Sequence, residues 1–467
     1  MLTYTLEKNS GISLYEQLYR CIKADILHGK LAANEKLPSK RVLAEHLEIS
    51  IVTVKNAYEQ LIAEGYIYSR EKRGYYVTPM ERPLMAAVRA PVPEKQQERS
   101  WFLDFVTNST AAEYFPFTTW AKLMRQTILE QDTGLLRSMP STGALELRQA
   151  IADYLRQNRG MTVDPNQIIV GAGTELLYHL LVQLLGRDKC YAVEEPGYGK
   201  IAKIYESNGV SVRYIGLDEN GLSAKKLRES DASVVHISPS HHYPTGIVMP
   251  ISRRQELLRW AAEKEGRYIL EDEYDSEFRF TGHPIPTMYS VDENQRVIYL
   301  NTFSKTIAPS IRISYMILPT PLLEEYHRRL GFYACTVSGF EQYTLAAFLA
   351  RGSYEQHLNR MRKRYRQKRD AVIACIETGG LQGKATIMER GAGLHFLVQL
   401  RTQLPDRELR EQAAQQGLRL ALLSDYYKEK KTAPMHVLVV NYSGLALERL
   451  PEALDRLAEI MEETDNV

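Results

Sequence analysis

Apolar residues recur at every fourth position near the start of the chain, as one buried helix face requires. These positions are Leu14, Leu18, Ile22 and Ile26. Gly29 follows them and acts as a stop signal for this first helix. A second, shorter helix is predicted after Pro38, with Ser39 as its N-cap.

A third helix is predicted to begin at Ser50, which can cap it, and to stop at Gly65. Its inward positions follow helical spacing: Val54, Ala57, Tyr58, Leu61 and Ile62. Two alternating segments, Tyr66–Ser69 and Tyr75–Thr78, then predict a two-stranded hairpin. Three short helices followed by a hairpin with a basic tip are typical of a winged helix-turn-helix domain, which we expect at residues 1–78.

The chain changes character after residue 78. From residue 79 to residue 100 it carries several prolines and charges without a sustained apolar period, which predicts an extended connection. We therefore expect a linker at residues 79–103 and a second, larger domain at residues 104–467.

The larger domain contains short apolar runs that are each followed by polar or glycine-rich residues. These runs are Ile168–Val170, Tyr191–Val193, Val234–Ile237, Tyr268–Leu270 and Val297–Leu300. Helical segments such as Glu175–Leu185 and Arg253–Lys264 lie between most of them. This alternation predicts an α/β fold with a mostly parallel sheet covered by helices on both faces. Ligands of such sheets bind beyond the carboxyl ends of the strands, where the polar clusters fall.

Composition narrows the class of protein. Hydrophobic residues make up 44% and charged residues 25% of the 467 residues, which excludes a mainly disordered chain. Lys and Arg total 59 against 57 for Asp and Glu, so a DNA partner would have to be contacted by a local patch. No apolar run reaches the roughly 18 residues of a membrane span, and no signal peptide is visible. The 4 cysteines lie far apart, no metal-ligand set is predicted, and a cytoplasmic protein is expected.

The winged-helix segment carries residues that suit DNA binding. Around Ser39, at the start of the second helix, basic residues can meet phosphates: Lys36, Lys40 and Arg41. The third helix exposes residues that can reach base edges in the major groove: Thr53, Lys55 and Asn56. The hairpin tip can follow an adjacent groove through Arg70, Lys72, Arg73 and Gly74. The alternative is that these are ordinary solvated side chains on a small three-helix domain.

A second group of residues lies at the strand ends and helix starts of the larger domain. Gly171–Thr174 opens a helix and offers backbone N–H groups to a phosphate, and Arg312 can add a guanidinium fork. Lys305 follows a strand end, where its amine can form a Schiff base, and Asp272 can face a cationic ring nitrogen. Together these groups predict binding of pyridoxal 5'-phosphate. Taken singly, Asp272 could be a cap or an ion-pair partner, and Lys305 could be exposed.

The first part of the chain resembles the winged-helix domain of the GntR family over its full length. The matching segments are LYEQL, LPSKRVLAEHL, TVKNAYEQL and the EGY–RGYYV wing. The family usually has a basic residue after the serine that opens the recognition helix, and this chain has Ile51. The resemblance implies a DNA-binding module in which one phosphate or base contact differs.

From about Phe105 onward the chain resembles a fold-type I aminotransferase. Its motifs occur in family order: STGALELRQAIADYL, IIVGAGTELL, EEPGYG, PTG, EDEYDSEF and TFSKTIAPSIRISYM. A GntR winged helix joined to such a domain resembles the MocR/GabR subfamily of transcriptional regulators. That resemblance implies a smaller α+β subdomain beside the main sheet and a homodimer in which one chain's winged helix packs on the other chain's larger domain.

The resemblance also assigns cofactor roles. Lys305 matches the lysine that forms the internal aldimine, Asp272 the partner of the pyridine nitrogen, and Tyr198 the aromatic residue that stacks on the ring. Tyr274 matches a residue near the ring oxygen, and a histidine of the pair at 241 and 242, taken as His242, replaces the usual asparagine there. The phosphate-binding residues are Ala172, Gly173, Thr174, Thr302, Ser304 and Arg312.

One departure concerns the effector. Aminotransferases place an arginine shortly after the final strand, Val437–Val440, to hold a carboxylate, and Gly444 falls at that point. Lys200 stands where a second ligand-binding arginine can occur. A glycine cannot supply a bidentate clamp, so the effector is expected to be pyridoxal phosphate itself or an amine whose acid group is absent or held elsewhere.

The leading hypothesis is a DNA-binding transcriptional regulator that depends on pyridoxal phosphate. An effector would shift the regulator between two conformations by binding one of them with higher affinity than the other. One alternative is an active aminotransferase with a DNA-binding appendage, which would turn over an amine and a keto acid. A second alternative is a DNA-binding module on a scaffold that no longer binds the cofactor.

Overall fold

A computed structural model describes most of the chain in two compact units, Met1–Glu98 and Arg99–Val467. The predicted linker at residues 79–103 falls mostly on residues 81–99, which lie outside the described residues, and its last residue, Leu103, opens a strand. The described residues are 2–7, 11–80, 100–108, 110–280, 285–388 and 393–462.

The smaller unit is a three-helix domain with a hairpin, as its apolar pattern predicts. Its elements are α1 (Leu14–Leu27), α2 (Lys40–His46), α3 (Ile51–Ala63), β1 (Ile67–Arg70) and β2 (Gly74–Val77). The Ser39 hydroxyl accepts a hydrogen bond from the Val42 N–H at 3.3 Å, and the Ser50 hydroxyl accepts one from the Thr53 N–H at 3.0 Å. Both predicted N-caps therefore satisfy orphan donors of a first helical turn.

The apolar face predicted for α1 packs on the inward face of α3. Leu18, Ile22 and Val54 have no exposed surface, and the same holds for Tyr58, whose hydroxyl donates to the Pro38 carbonyl at 2.9 Å. The hairpin strands run antiparallel, and Ile67 and Val77 pack into the same core. This core holds α3 with its opposite face in solvent, which is the arrangement that a recognition helix needs.

The larger unit is built on an 8-stranded sheet in the order β4-β11-β10-β9-β8-β5-β6-β7. Neighbouring strands are parallel except at β11 and β7, which run antiparallel to their neighbours. The strands are β4 (Ile168–Gly171), β5 (Cys190–Glu195), β6 (Ser211–Asp218), β7 (Gly221–Leu222), β8 (Val234–Ile237), β9 (Tyr268–Glu273), β10 (Val297–Thr302) and β11 (Ser314–Ile317).

Helices cover both faces of this sheet. They are α4 (Phe117–Gln131), α5 (Leu145–Arg159), α6 (Thr174–Leu185), α7 (Gly199–Ser207), α8 (Ala224–Glu229), α9 (Ile251–Ala262), α10 (Thr320–Leu330) and α11 (Gly339–Ala350). Successive residues of a strand bury their side chains on opposite faces: Ile168 and Val170 pack on one side of β4, and Ile169 packs on the other. The expectation of a mostly parallel sheet buried on both faces is confirmed.

The C-terminal part forms the smaller α+β subdomain. Its elements are α12 (Ser353–Thr378), β12 (Ala385–Ile387), β13 (His395–Leu400), α13 (Asp406–Gln415), β14 (Leu418–Arg419), β15 (Val437–Asn441) and α14 (Leu450–Glu462). Strands β12, β13 and β15 form an antiparallel sheet, and β14 pairs in parallel with β3 (Leu103–Asp104). Within the described residues, every helix is too short or too polar to span a bilayer.

Candidate functional site

A cavity of about 700 Å³ opens in the larger unit, where the carboxyl ends of β5, β8, β9 and β10 lie side by side. Most of the residues that the sequence predicts as cofactor-binding line it: Thr174, Tyr198, His242, Asp272, Tyr274, Thr302, Ser304, Lys305 and Arg312. The ends of neighbouring strands of the central sheet bring these residues together, although in the chain they extend from Thr174 to Arg312.

Lys305 lies just beyond β10, and its amine donates a hydrogen bond to the Asn108 carbonyl. Burial lowers the pKa of Lys305 from its ordinary 10.5 to about 8, while the nearby Asp275 carboxylate opposes this shift. The neutral amine, which is the nucleophile, is therefore far more abundant at neutral pH than on a surface lysine. Asn108 was not singled out in the sequence, because a backbone carbonyl leaves no signal in a residue's identity.

The lowered pKa of Lys305 predicts how the rate of cofactor capture depends on pH. With a pKa of about 8, about one tenth of Lys305 is neutral at pH 7, against about 0.03% for a lysine at 10.5. We expect the rate at which cofactor-free protein captures pyridoxal phosphate, followed by absorbance, to rise about tenfold from pH 6 to pH 7 and to level off above about pH 8. Nα-acetyl-lysine is the control, and a protein rate that climbs in parallel with it up to pH 10 would contradict the lowered pKa.

Asp272, in β9, is buried and leaves one carboxylate oxygen without a partner. Its Oδ2 accepts a hydrogen bond from the Tyr178 hydroxyl at 2.5 Å and lies 3.3 Å from His236 Nε2, whereas Oδ1 is buried and has no partner among the described residues. An unpaired buried carboxylate oxygen is costly, and a protonated ring nitrogen in the cavity would satisfy it. The donor set thus fits pyridoxal phosphate.

Tyr178 and His236 also line the cavity and were missed by sequence reasoning. Tyr178 lies on the buried face of α6, and His236 occupies an inward position of β8, where its Nδ1 lies 2.7 Å from the Tyr205 hydroxyl. Burial raises the pKa of Tyr178 well above 10, which keeps its hydroxyl protonated as a donor to Asp272. A polar residue within the apolar run VVHI was the available signal for His236.

The predicted phosphate-binding residues form a polar rim around the start of α6. The Ser304 N–H and hydroxyl both lie 3.1 Å from the Thr302 hydroxyl oxygen, and the Arg312 guanidinium lies 3.5 Å from the Glu175 carboxylate. Glu175 also pairs with Lys200, so two cations share one carboxylate at this edge of the cavity. An anion bound here would compete with Glu175 for the Arg312 guanidinium.

Ala172 and Gly173 contribute in another way, since neither is among the residues lining the cavity. The Ala172 N–H donates to the Thr336 hydroxyl at 3.1 Å. Gly173 has a φ of +92°, and a Cβ there would lie 2.3 Å from Arg312 Nη2. Only glycine therefore leaves room for the Arg312 side chain in this position.

Tyr198 stands at the cavity wall with 52% of its surface exposed. Its ring meets that of Tyr243 edge to face at 6.0 Å between centroids, and the Tyr243 hydroxyl lies 2.7 Å from the Tyr426 hydroxyl. An exposed ring at the wall of a cavity is available to stack on a flat ligand. The structure thus leaves Tyr198 free for the stacking role that the sequence predicts.

The two loop histidines differ in position. His242 lines the cavity, with its Nε2 3.5 Å from a Glu194 carboxylate oxygen and its Nδ1 2.7 Å from the Thr245 hydroxyl. Burial lowers the pKa of His242 to about 3 and raises the pKa of Glu194 to about 8, so both groups are neutral at pH 7. His241 does not line the cavity, and its Nδ1 lies 3.2 Å from the hydroxyl of Tyr274, which does.

His241 instead belongs to a buried cluster that sequence analysis did not foresee. One side-chain nitrogen or carboxylate oxygen from each of three residues lies within 4.8 Å of the other two: His241, Asp275 and His395. The His241 Nδ1 lies 3.0 Å from Asp275 Oδ2, and the His395 Nε2 lies 3.1 Å from the Pro244 carbonyl. This cluster supports Tyr274 from behind the cavity wall.

The position after β15 where aminotransferases place an arginine is occupied by Gly444, which is exposed. Arg419 lines the cavity instead, and its guanidinium donates to Asp104 Oδ2 at 3.1 Å. Asp104 keeps three other donors, from the Val106 N–H and from the Thr107 N–H and hydroxyl. Asp104 would therefore keep hydrogen-bond donors if the Arg419 guanidinium bound another anion in the cavity.

The predicted DNA-binding residues of the smaller unit are exposed to different degrees. Arg41, Lys55 and Asn56 are exposed, although Lys55 lies 3.6 Å from the Glu59 carboxylate. Thr53 is half-buried, and its hydroxyl lies 2.8 Å from the Ser50 hydroxyl, which makes it a less available base contact than the sequence suggests.

The second group of predicted DNA contacts lies against tyrosines of the hairpin. The Lys40 amine lies 5.4 Å from the Tyr75 ring, and the Arg70 guanidinium lies 5.0 Å from the Tyr76 ring. Arg73 is exposed, and Gly74 has a φ of +112°, as the tight tip requires. The Ser39 hydroxyl oxygen accepts the capping hydrogen bond from the Val42 N–H, and this bond does not use the hydroxyl proton.

Two family models match the chain. Residues 14–77 match the bacterial regulatory proteins of the gntR family, and residues 105–421 match aminotransferase class I and II. The YdeL protein of Bacillus subtilis, named an uncharacterized HTH-type transcriptional regulator, is 37% identical over 98% of this chain and 98% of its own. PdxR of Corynebacterium glutamicum, named an HTH-type pyridoxine biosynthesis transcriptional regulator, is 31% identical over 91% of each chain.

Solved structures agree with the fold of the larger unit. A kynurenine aminotransferase of Pyrococcus horikoshii, crystallised with PMP, matches with a TM-score of 0.69 at 22% identity. The match covers 79% of this chain and 92% of that chain. The expected fold-type I architecture is therefore confirmed, and the share of this chain left unmatched is close to the length of the winged-helix unit and the connection after it.

Proposed function

Because the chain belongs to the MocR/GabR subfamily of GntR-type transcriptional regulators, we propose that it regulates transcription in response to the state of a pyridoxal phosphate site in its larger unit. The observation that supports this most directly is that one cavity holds two groups that pyridoxal phosphate would use. Burial lowers the pKa of Lys305, which favours its neutral amine, and Asp272 has a buried carboxylate oxygen without a partner among the described residues. An aldehyde would meet the first group, and a protonated ring nitrogen would satisfy the second.

When bound, pyridoxal phosphate supplies an aldehyde that condenses with amines and a pyridinium ring that withdraws electrons. Lys305 would present its neutral amine to that aldehyde, and Asp272 would accept a hydrogen bond from the ring nitrogen. Arg312, with Thr174 and Ser304, would bind the phosphate, and Tyr198 would lie on the ring face. Tyr274 and His242 would face the ring oxygen, His242 as a neutral imidazole.

The effector is proposed to be pyridoxal phosphate or an amine, without the usual carboxylate clamp. Gly444 leaves the standard arginine position empty, and Lys200 and Arg312 already share Glu175. The related PdxR is named for pyridoxine biosynthesis, which favours the cofactor itself as one signal. If an amine with an acid group also binds, we propose Arg419 as the partner of that group, because Asp104 would retain its three other donors.

We do not propose a full transamination cycle. A cycle requires that an amino acid and then a keto acid be held by their carboxylates, and the residue that usually does so is replaced by Gly444. A homodimer is proposed from the same family membership. Large apolar side chains of the larger unit are exposed in the single chain, as a covered interface would require: Phe117, Leu129, Leu136 and Phe332.

The test is the coupling of DNA binding to the cofactor. Duplexes are selected from a random pool by the full-length protein, in parallel without and with pyridoxal phosphate, and the Kd of each duplex is measured in both conditions. Allosteric coupling free energies are typically about 1–3 kcal/mol, so we expect the Kd to change about 5- to 150-fold. Pyridoxal, which lacks the phosphate, is the matched control and should have a much weaker effect.

Identical affinities in both conditions would contradict a cofactor-responsive regulator. The enzyme alternative is tested on the same preparation by incubation with amines and keto acids. Sustained formation of a second product over many turnovers would replace the proposed function with catalysis.

A further inference from the structure

The N-terminal turn of α3 carries two large aliphatic side chains in solvent. Ile51 and Val52 are its first two residues, and they are 50% and 62% exposed. The core of this small domain is already closed by the opposite face of α3, where Val54 and Tyr58 have no exposed surface. Ile51 and Val52 therefore leave half or more of their surface outside this core, and that exposure costs free energy in the isolated domain.

The same exposed face continues into polar residues. Lys55 and Asn56 lie three and four positions after Val52, so all three project from one side of the helix. The Ser50 hydroxyl caps the helix and fixes where this face begins. The face that a recognition helix presents to DNA thus starts with an aliphatic pair and ends with a cation and an amide.

Duplex DNA offers few apolar groups to such a pair. In the major groove the 5-methyl group of thymine is the apolar feature of the base edges, and recognition helices contact base edges with their N-terminal residues. The aliphatic pair Ile51 and Val52 offers an exposed apolar surface that fits such a methyl group.

We propose that Ile51 and Val52 form an apolar subsite for thymine 5-methyl groups. The operator then carries A·T pairs at the positions that the first turn of α3 reaches, and Lys55 and Asn56 contact the neighbouring phosphates or bases. This inference rests on DNA binding by the GntR-type domain, and it predicts part of the DNA sequence that the domain recognises.

Removal of single methyl groups from the DNA tests the subsite. The full-length protein selects a duplex from a random pool, and each thymine of that duplex is then replaced by deoxyuridine, which lacks only the 5-methyl group. A buried methyl contributes about 0.8 kcal/mol, so we expect Kd to rise about fourfold at one or two thymines of each half-site and to stay unchanged elsewhere.

Variants connect this effect to the two residues. In Ile51→Ala combined with Val52→Ala, the deoxyuridine penalty should disappear at the sensitive thymines, while alanine preserves the helix. Val42→Ala is the matched control, because Val42 is a comparable aliphatic residue, 43% exposed, on α2, and it should retain the full penalty. Circular dichroism of each variant confirms that the winged helix is folded.

Two results would overturn the subsite. If the selected duplex tolerates every deoxyuridine replacement without loss of affinity, DNA binding stands and the methyl contact is wrong. If the penalty persists unchanged in the double variant, the methyl group is contacted by other residues, and Ile51 and Val52 cover a protein surface instead. A protein that selects no duplex would remove the proposed function and this inference together.

Discussion

Replacing Lys305 by alanine is expected to abolish the covalent capture of pyridoxal phosphate. Among the lysines that line the cavity, Lys305 is the one whose pKa burial lowers to about 8, and its neutral amine is the nucleophile that the aldehyde needs. The purified variant should show no absorbance from a covalent lysine adduct, and borohydride treatment should leave no cofactor on the chain by mass spectrometry.

The control for this loss is Lys203→Ala, since Lys203 also lines the cavity but has no assigned role. It should retain cofactor capture at the wild-type level. DNA binding by the Lys305 variant, measured without cofactor, should match that of the cofactor-free wild type because the winged helix is a separate compact unit. A borohydride-stable adduct in Lys305→Ala would show that another amine of the cavity is the nucleophile.

Asp272→Asn is expected to produce the second largest effect, a loss of cofactor affinity without a change of shape. The substitution removes the charge of a buried carboxylate whose Oδ1 has no partner and whose Oδ2 accepts from Tyr178. Hydrogen bonds to charged groups contribute about 1.5–3 kcal/mol, so the Kd for pyridoxal phosphate should rise about 10- to 150-fold. Equilibrium dialysis measures this Kd directly.

Asp425→Asn serves as the matched control. Asp425 also lines the cavity, but its carboxylate pairs with Arg410 and so is already satisfied. This variant should bind pyridoxal phosphate with nearly the wild-type Kd. If Asp272→Asn and Asp425→Asn had the same affinity as the wild type, the ring nitrogen would not face Asp272.

Local patterns predicted much of the fold because they depend on neighbours in sequence. The caps at Ser39 and Ser50 and the buried strands β5, β8, β9 and β10 follow from side chains within a few residues of each element. The antiparallel direction of β11 was not predicted. It depends on how the chain returns from β10 through the turn at Arg312, and strand direction leaves no trace in a four-residue apolar run.

The same distinction between local patterns and long-range contacts applies to the residues of the site. Lys305, Asp272 and Thr302 could be located from the sequence because each lies at or just beyond the carboxyl end of a strand, and parallel strands bring their carboxyl ends together. Tyr178 could not, since its hydrogen bond to Asp272 joins residues 94 positions apart. The choice between the loop histidines also required tertiary contacts, as both share the same local sequence.

The hydrogen bond from the Lys305 amine to the Asn108 carbonyl links the chemistry of one side chain to the position of a backbone segment. An ammonium has three protons to donate, and a lysine nitrogen that has condensed with a carbonyl compound no longer offers this set. Asn108 lies five residues after Leu103, at the start of the larger unit and directly downstream of the connection from the DNA-binding helices. The Asn108 carbonyl would therefore lose one hydrogen bond when the amine is consumed, while the Asn441 amide would still hold the neighbouring Phe105 and Val106 carbonyls.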